Sequence, residues 1–199
     1  MVDTSTDCDS FLQAVRDSGL VGLGGAAFPT WAKFNEALNP DYKVDTVLIN
    51  AAECEPFITT DNREMVENGQ DVLDGMKLIM KWLNLKKGFI GVETNKPDAI
   101  AVLEKLIKDQ NHPEIKVITL RSRYPQGAER QLIYACTGRK INSSMLPADA
   151  GCVVNNTDTV ISVYRAVCET TKLIRRVVTV TGDAVKEPQN FFVRIGTNY

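Results

Sequence analysis

Residues 19–34, GLVGLGGAAFPTWAKF, hold the densest chemistry in the chain. Gly22, Gly24 and Gly25 lie close together, with Ala26 directly behind them. Glycine reaches positive φ at little cost and lets a ligand come close to the backbone. Phe28, Pro29 and Thr30 follow, then Lys33. Free N–H groups, a rigid helix start and a cation together suit phosphate. A tight turn entering a helix, with Lys33 facing solvent, explains the same residues, and spacing does not choose between the two readings.

Three further segments share this design: Asn50–Glu55, Tyr124–Glu129 and Asn155–Thr159. Each is polar and sits at a strand end or a helix start. In an open α/β sheet such loops gather on one rim. Together they offer backbone donors, the cation Lys33, the carboxylates Glu53 and Glu129, the amides Asn50, Asn155 and Asn156, and the ring of Tyr124. That inventory suits a large, flat, polar ligand with a phosphate, such as flavin mononucleotide (FMN). The bland readings stay open: a turn or helix cap for Asn155-Asn156, and a solvated surface for Glu53 and Glu129. The run GLVGLGG is G-x-x-G-x-G-G, but no clear strand precedes it, so the dinucleotide fingerprint is weak. It also lacks the G-K-S or G-K-T of a nucleotide triphosphatase loop.

The elements that must position these loops alternate. Residues 9–18 pattern as a short amphipathic helix, with Asp9 or Ser10 as cap and Gly19 as stop. Thr30–Leu38 reads as a helix ended by Asn39-Pro40. The apolar runs 44–50, 88–93, 115–120 and 152–155 read as buried strands. Residues 63–83 carry apolar side chains at spacings near three and four and read as one long helix. Gly69 and Gly75 weaken it or allow close packing. Helices follow at 97–108, at 129–137 with Gly138 as stop, and at 157–168. The tail, IRRVVTVTG and FFVRIGTNY, looks like two antiparallel strands. The expected fold is α/β: a mostly parallel sheet flanked by helices, a glycine-rich loop near the N-terminus and a short antiparallel extension.

Bulk properties narrow the chemistry. A net charge of −2 disfavours broad binding to nucleic acid or anionic lipid. No apolar run approaches the roughly 18 residues of a membrane span. The first residues, MVDTSTDCDS, are polar and acidic, unlike a signal peptide, so a cytoplasmic setting is expected. The five cysteines are widely spaced with no C-x-x-C, which argues against a zinc ribbon or an iron–sulfur cluster held by this chain alone. No metal site is expected. The single histidine, His112, sits in a turn-like Asn-His-Pro run, so histidine-based acid–base chemistry is not expected.

Four motifs in order carry a resemblance: GLGGAAFPTWAK, LINAAECEP, YPQGAERQLIYACTG and VVNNTDT. They resemble the flavoprotein domain shared by the C subunit of the Rnf ferredoxin–NAD oxidoreductase and the NADH-oxidising subunit of respiratory complex I. INAAECEP, YPQGAE and LPADAGCVVNN lie nearer the Rnf side, and a related protein associated with proline reductase is similar too. The resemblance implies FMN in the glycine loop, with NAD(H) stacked on it. By motif position, Gly22, Gly24, Gly25, Ala26 and Lys33 would surround the flavin phosphate and ribityl chain. Asn50 would lie near the flavin, and Glu53 between flavin and nicotinamide nucleotide. Tyr124, Gly127 and Glu129 match the second loop. Asn155, Asn156 and Thr159 would contact the phosphate end or the ribityl group.

Hydride would pass between NAD(H) and FMN, with single electrons exchanged with an iron–sulfur partner. Glu53 and Glu129 would orient groups rather than act as acids. Two departures stand out: Ala27 replaces a common family glycine, where its methyl could narrow the ligand's approach, and Ala128 stands where complex I has a glutamate. Family members continue into a β-grasp-like module and cysteine-rich cluster domains. Residues 1–199 are therefore expected to be a single FMN/NAD(H)-binding domain of a longer subunit, with the clusters in absent regions or partner subunits. Its expected partners are electron-transfer subunits or a ferredoxin-like protein, and its expected place is the cytoplasm or the cytoplasmic face of a membrane through those partners. The alternative is a non-catalytic interaction scaffold that retains the fold.

Overall fold

A computed structural model describes residues 8–198. The polar start at 1–7, the side chain of Asp9 weighed as a cap, and Tyr199 lie outside the described residues. Four strands, β1 (Thr46–Ala51), β2 (Lys87–Glu93), β3 (Ile115–Leu120) and β4 (Cys152–Asn156), form a parallel sheet in the order β3-β2-β1-β4. The helices are α1 (Cys8–Asp17), α2 (Thr30–Ala37), α3 (Thr60–Glu67), α4 (Gly69–Trp82), α5 (Pro97–Asp109), α6 (Glu129–Thr137) and α7 (Thr157–Cys168). Two antiparallel strands, β5 (Arg175–Val180) and β6 (Gln189–Arg194), form a separate hairpin.

Strand residues alternate between two faces, as pleating requires. Val47, Ile49, Ile90, Val92, Ile115 and Val153 join a large core with α1, α2, α4, α5 and α7. Leu48, Leu120, Cys152 and Val154 face the other way and join a smaller core with Leu132 and Ile133 of α6. Burial on both faces explains the continuous apolar runs of these strands.

The expected long helix over 63–83 is two helices. The chain leaves helical geometry at Asn68 (φ −121°, ψ 30°), and α4 starts at Gly69. The apolar spacing runs through this break, which is why periodicity alone hid it. Gly69 and Gly75 act by close packing. A Cβ on Gly69 would press on Val102 and Leu106 of α5, and one on Gly75 would strike the Val160 carbonyl of α7. The other helix boundaries follow their punctuation. Gly19 (φ 70°) and Gly138 (φ 71°) end α1 and α6 in the left-handed conformation that glycine takes easily.

Candidate functional site

The sheet order places a switch point between β1 and β4. The chain leaves β1 towards β2 and β3, then returns across the sheet to place β4 on the other side of β1. Crevices at such points lie beyond the carboxyl ends of the strands. Asn50, next to last in β1, and Asn156, last in β4, lie there side by side in register.

The glycine loop closes on itself through Gly22 N–H donating to the Phe28 carbonyl at 2.8 Å. The Leu23 N–H donates to Thr159 Oγ1 of α7 at 2.9 Å, and its carbonyl accepts from Arg176 Nη2 of β5 at 3.1 Å. Gly24 passes so near Asn156 that a Cβ would lie 3.0 Å from the asparagine Cβ. Ala26 and Ala27 are exposed, and Ala27 holds a left-handed φ of 54°. Ala27 is not among the residues that line the crevice, so its methyl does not narrow the approach expected from sequence. It carries backbone strain instead.

The loop after β1 is pinned by charge. Glu53 (φ 48°) turns its carboxylate onto the start of α3, accepting from Asp61 N–H at 2.7 Å, Asn62 N–H at 3.2 Å and Thr60 Oγ1 at 3.2 Å. An anion at a helix N-terminus is favourable. Burial nevertheless outweighs these bonds and raises the Glu53 pKa. Beneath the loop, Lys96 Nζ donates to the Ala52 carbonyl at 2.9 Å and lies 3.7 Å from Glu93 Oε2, both side chains being buried. Glu93 Oε1 accepts from the Arg123 N–H at 3.1 Å. One buried ion pair thus fastens the loops after β1 and β3.

Those two loops also bind each other. Asn50 Nδ2 donates to the Gly127 carbonyl at 2.8 Å, and the Gly127 N–H donates to Cys54 Sγ at 3.2 Å. A Cβ on Gly127 would lie 3.3 Å from both Asn50 Oδ1 and Cys54 Sγ, so a bare backbone suits that position. Tyr124, 69% exposed, stands at the rim. At the end of β4, Asn156 accepts from the Asp158 N–H at 3.1 Å, capping α7, and donates to Asp61 Oδ2 at 2.8 Å.

These segments enclose a cavity of about 650 Å³. Gly24, Gly25, Asn50, Glu53, Tyr124, Gly127 and Asn156 line it. Gly22, Ala26, Lys33, Glu129, Asn155 and Thr159 stand behind or beside it and are not lining residues. Lys33 donates to the Val154 carbonyl of the edge strand β4 at 2.6 Å and lies 3.6 Å from Glu129 Oε1. It therefore ties α2 and α6 to β4. Asn155, only 4% exposed, has a buried Nδ2 with no partner among the described residues. A smaller cavity of about 310 Å³, under the β5–β6 hairpin, shares only Leu20 and Asp158 with the four segments.

Sequence reasoning passed over Asp61, Glu93, Lys96, Cys54 and Arg176. Lys96 and Asp61 each sit at the start of a helix, where a charged residue is ordinary, and nothing local marks them as buried. Among the described residues no helix is long and apolar enough to cross a membrane. Among them no cluster of three or more His, Cys, Asp or Glu residues could hold a metal.

A doubly covered parallel sheet with glycine and asparagine loops meeting at its switch point is an open α/β architecture, whose ligand crevices lie at that point. The Nuo51 FMN-binding domain model matches residues 15–165, and the chain belongs to that family. It is similar to the C subunit of the proton-translocating ferredoxin:NAD(+) oxidoreductase complex of Clostridium ljungdahlii, 47% identical over 188 residues, covering 94% of this chain and 40% of the relative. The C subunit of the Na(+)-translocating ferredoxin:NAD(+) oxidoreductase complex of Acetobacterium woodii is 47% identical over 193 residues, covering 97% of this chain and 43% of the relative. The chain thus spans about two fifths of the length of these relatives. Among solved structures, a chain of an NAD+-reducing [NiFe]-hydrogenase in the H2-reduced state shares the fold. Its TM-score is 0.81 at 24% identity, over 96% of this chain and 38% of that one.

Proposed function

We propose that the switch-point cavity holds FMN and receives NAD(H) beside it, and that the chain serves as the flavin module of a ferredoxin–NAD oxidoreductase. The observation that carries this reading is the meeting of the glycine loop, the Glu53 loop, the Gly127 loop and the β4 end around one cavity. Family membership and the kinship with the two ferredoxin:NAD(+) oxidoreductase relatives support it.

The residues fit the group. The cavity volume of about 650 Å³ falls within the roughly 300–1,000 Å³ of small-molecule sites. Gly25 has open space where a Cβ would be, and Gly24 and Gly25 offer bare backbone to the cavity. When bound, FMN supplies hydride acceptance and single-electron release.

The chain holds and orients. Gly24 and Gly25 present N–H donors for phosphate or ribityl oxygens. Lys33 stands behind the loop, bonded to the Val154 carbonyl and paired with Glu129, and so braces α2 against β4. Asn50 keeps the Gly127 backbone flat against the cavity wall. Glu53, held by three donors, offers a fixed acceptor edge to a ribose or carboxamide. Tyr124 shields the mouth from water. The expected partner is an iron–sulfur protein or subunit, and the expected setting is the cytoplasm or the cytoplasmic face of a membrane through such partners.

Titrating the purified chain into FMN tests the reading: flavin fluorescence should fall to a saturating plateau. Anaerobic NADH should then bleach the flavin absorbance of the complex. A linear, unsaturable response would overturn FMN binding, and an unbleached complex would overturn hydride exchange in this chain.

A further inference from the structure

We infer that Asp61 is a further cofactor-site residue: a carboxylic acid kept neutral at pH 7 that joins the Glu53 loop to the end of β4 and spares an anionic ligand a buried negative charge. Its ligand role rests on the FMN reading; its proton does not.

Asp61 is on the cavity wall and only 8% exposed. Its Oδ2 accepts from Asn156 Nδ2 at 2.8 Å, and its N–H donates to Glu53 Oε1 at 2.7 Å. It therefore links two of the four segments directly. The start of α3 favours one anion, and Glu53 already occupies that position, using the Asp61 and Asn62 N–H groups.

Among the described residues no cation forms an ion pair with Asp61, and the Arg176 guanidinium, which lines the same cavity with its Nε unpartnered, is directed to the Leu23 carbonyl. Glu53 faces it from the loop after β1, and Asp158 from the start of α7. Lys96 faces it from the turn before α5, but its ammonium is engaged by the Ala52 carbonyl, Asn95 Oδ1 and Glu93. Arg176 of β5 acts on Asp158 and bonds to the Leu23 carbonyl. Arg165 of α7 bonds to Asp71 of α4 at 3.0 Å, and Glu64 of α3 adds further negative charge near Asp158. Like charges at close range cannot all ionise in a poorly solvated site. Removing one charge costs least at Asp61, the carboxyl with the weakest compensation. Burial, then Glu53 and Asp158, push its pKa up to about 8.

A neutral Asp61 keeps the accepted bond from Asn156 and adds no negative charge to the wall. An ionised Asp61 would oppose a phosphate-bearing flavin, and a unit charge within about 10 Å at intermediate dielectric changes affinity by about tenfold.

Two measurements test this. In the ligand-free chain, carbon NMR of the Asp side-chain carboxyls should show one group titrating near pH 8, absent in Asp61→Asn and shifted down in Asp158→Asn. A wild-type chain whose aspartates all titrate below pH 6.5 would overturn the neutral acid without any variant being needed. In the second, FMN Kd is measured by fluorescence at pH 6.5 and 9.5, with uncharged riboflavin as control. Wild type should lose about tenfold more FMN affinity across that range than Asp61→Asn, while riboflavin affinity should change less than about twofold. Equal losses in wild type and variant would overturn the ligand role. No FMN binding at any pH would overturn the flavin reading and that ligand role together, while the carboxyl titration still judges the proton on Asp61.

Discussion

The glycine loop and the Glu53 loop border the same cavity and are held to different degrees. The Glu53 loop is fixed by buried charge: Glu53 on the start of α3, Lys96 under Ala52, and Glu93 reaching across to Arg123. The glycine loop is held at Leu23 by the Thr159 hydroxyl and by the Arg176 guanidinium on its carbonyl, with no buried ion pair beneath it among the described residues and with Gly25 to Phe28 exposed beyond these contacts. The contrast amounts to a division of labour. A reacting ring needs a wall that does not move, because small misplacements cost rate steeply. A phosphate needs donors that can close on it, which a lightly tethered glycine loop supplies.

The largest effect is expected from Lys96→Met. It leaves Glu93 buried without its partner and frees the Ala52 carbonyl, so denaturant unfolding should show a loss of about 3–5 kcal/mol. A loss under about 1 kcal/mol would mean that charge does not fix this wall.

Next is pH. Asp61, pushed up to about 8, and Asp158, pushed up to about 6, bind protons more tightly folded than unfolded. Their contribution is complete below the ordinary carboxyl range near pH 4 and is lost as pH rises through about 6 and then about 8. Asp45 has the opposite sign. The Arg139 guanidinium holds it down to about 2, so its contribution is present above pH 4 and disappears only as pH falls towards 2. Thermal midpoints measured from pH 4.5 to 9 should decline on the alkaline side, and Asp61→Asn should flatten that decline.

On the glycine loop, Thr159→Val removes the acceptor for the Leu23 N–H. It should cost about 1 kcal/mol of stability and weaken FMN binding several-fold in the fluorescence titration. An unchanged Kd would show that the loop needs no tether. The smallest effect is a gain. Ala27→Gly relieves the left-handed φ of 54° and should stabilise the chain by about 1 kcal/mol, with FMN affinity unchanged because Ala27 does not line the cavity.

Much of the frame was legible because local signals and tertiary demands agreed. Apolar runs such as 47–49 and 152–154 gave strands buried on both faces, and Gly19 and Gly138 ended helices where the chain needed positive φ. The break at Asn68 was illegible because apolar spacing serves two helices on one core as well as a single long one. At the site, the sequence marked the loops but not the partners. Lys33, read as a phosphate cation, is bonded to a strand carbonyl 121 positions away. Asp61 and Lys96 carried no local mark because their meaning lies in burial and in neighbours from other elements.

The order of residues alone determined the alternation of strands and helices, the glycine and asparagine loops between them, and the kinship those loops display. These are short-range properties, set by backbone preference and by the spacing of apolar side chains. Only the folded chain decided which charged groups are buried together, which loop is fixed and which is free, and where a carboxyl keeps its proton. Those outcomes depend on solvent exclusion and on distances between groups far apart along the chain, quantities that exist only once the sheet has brought β4 beside β1.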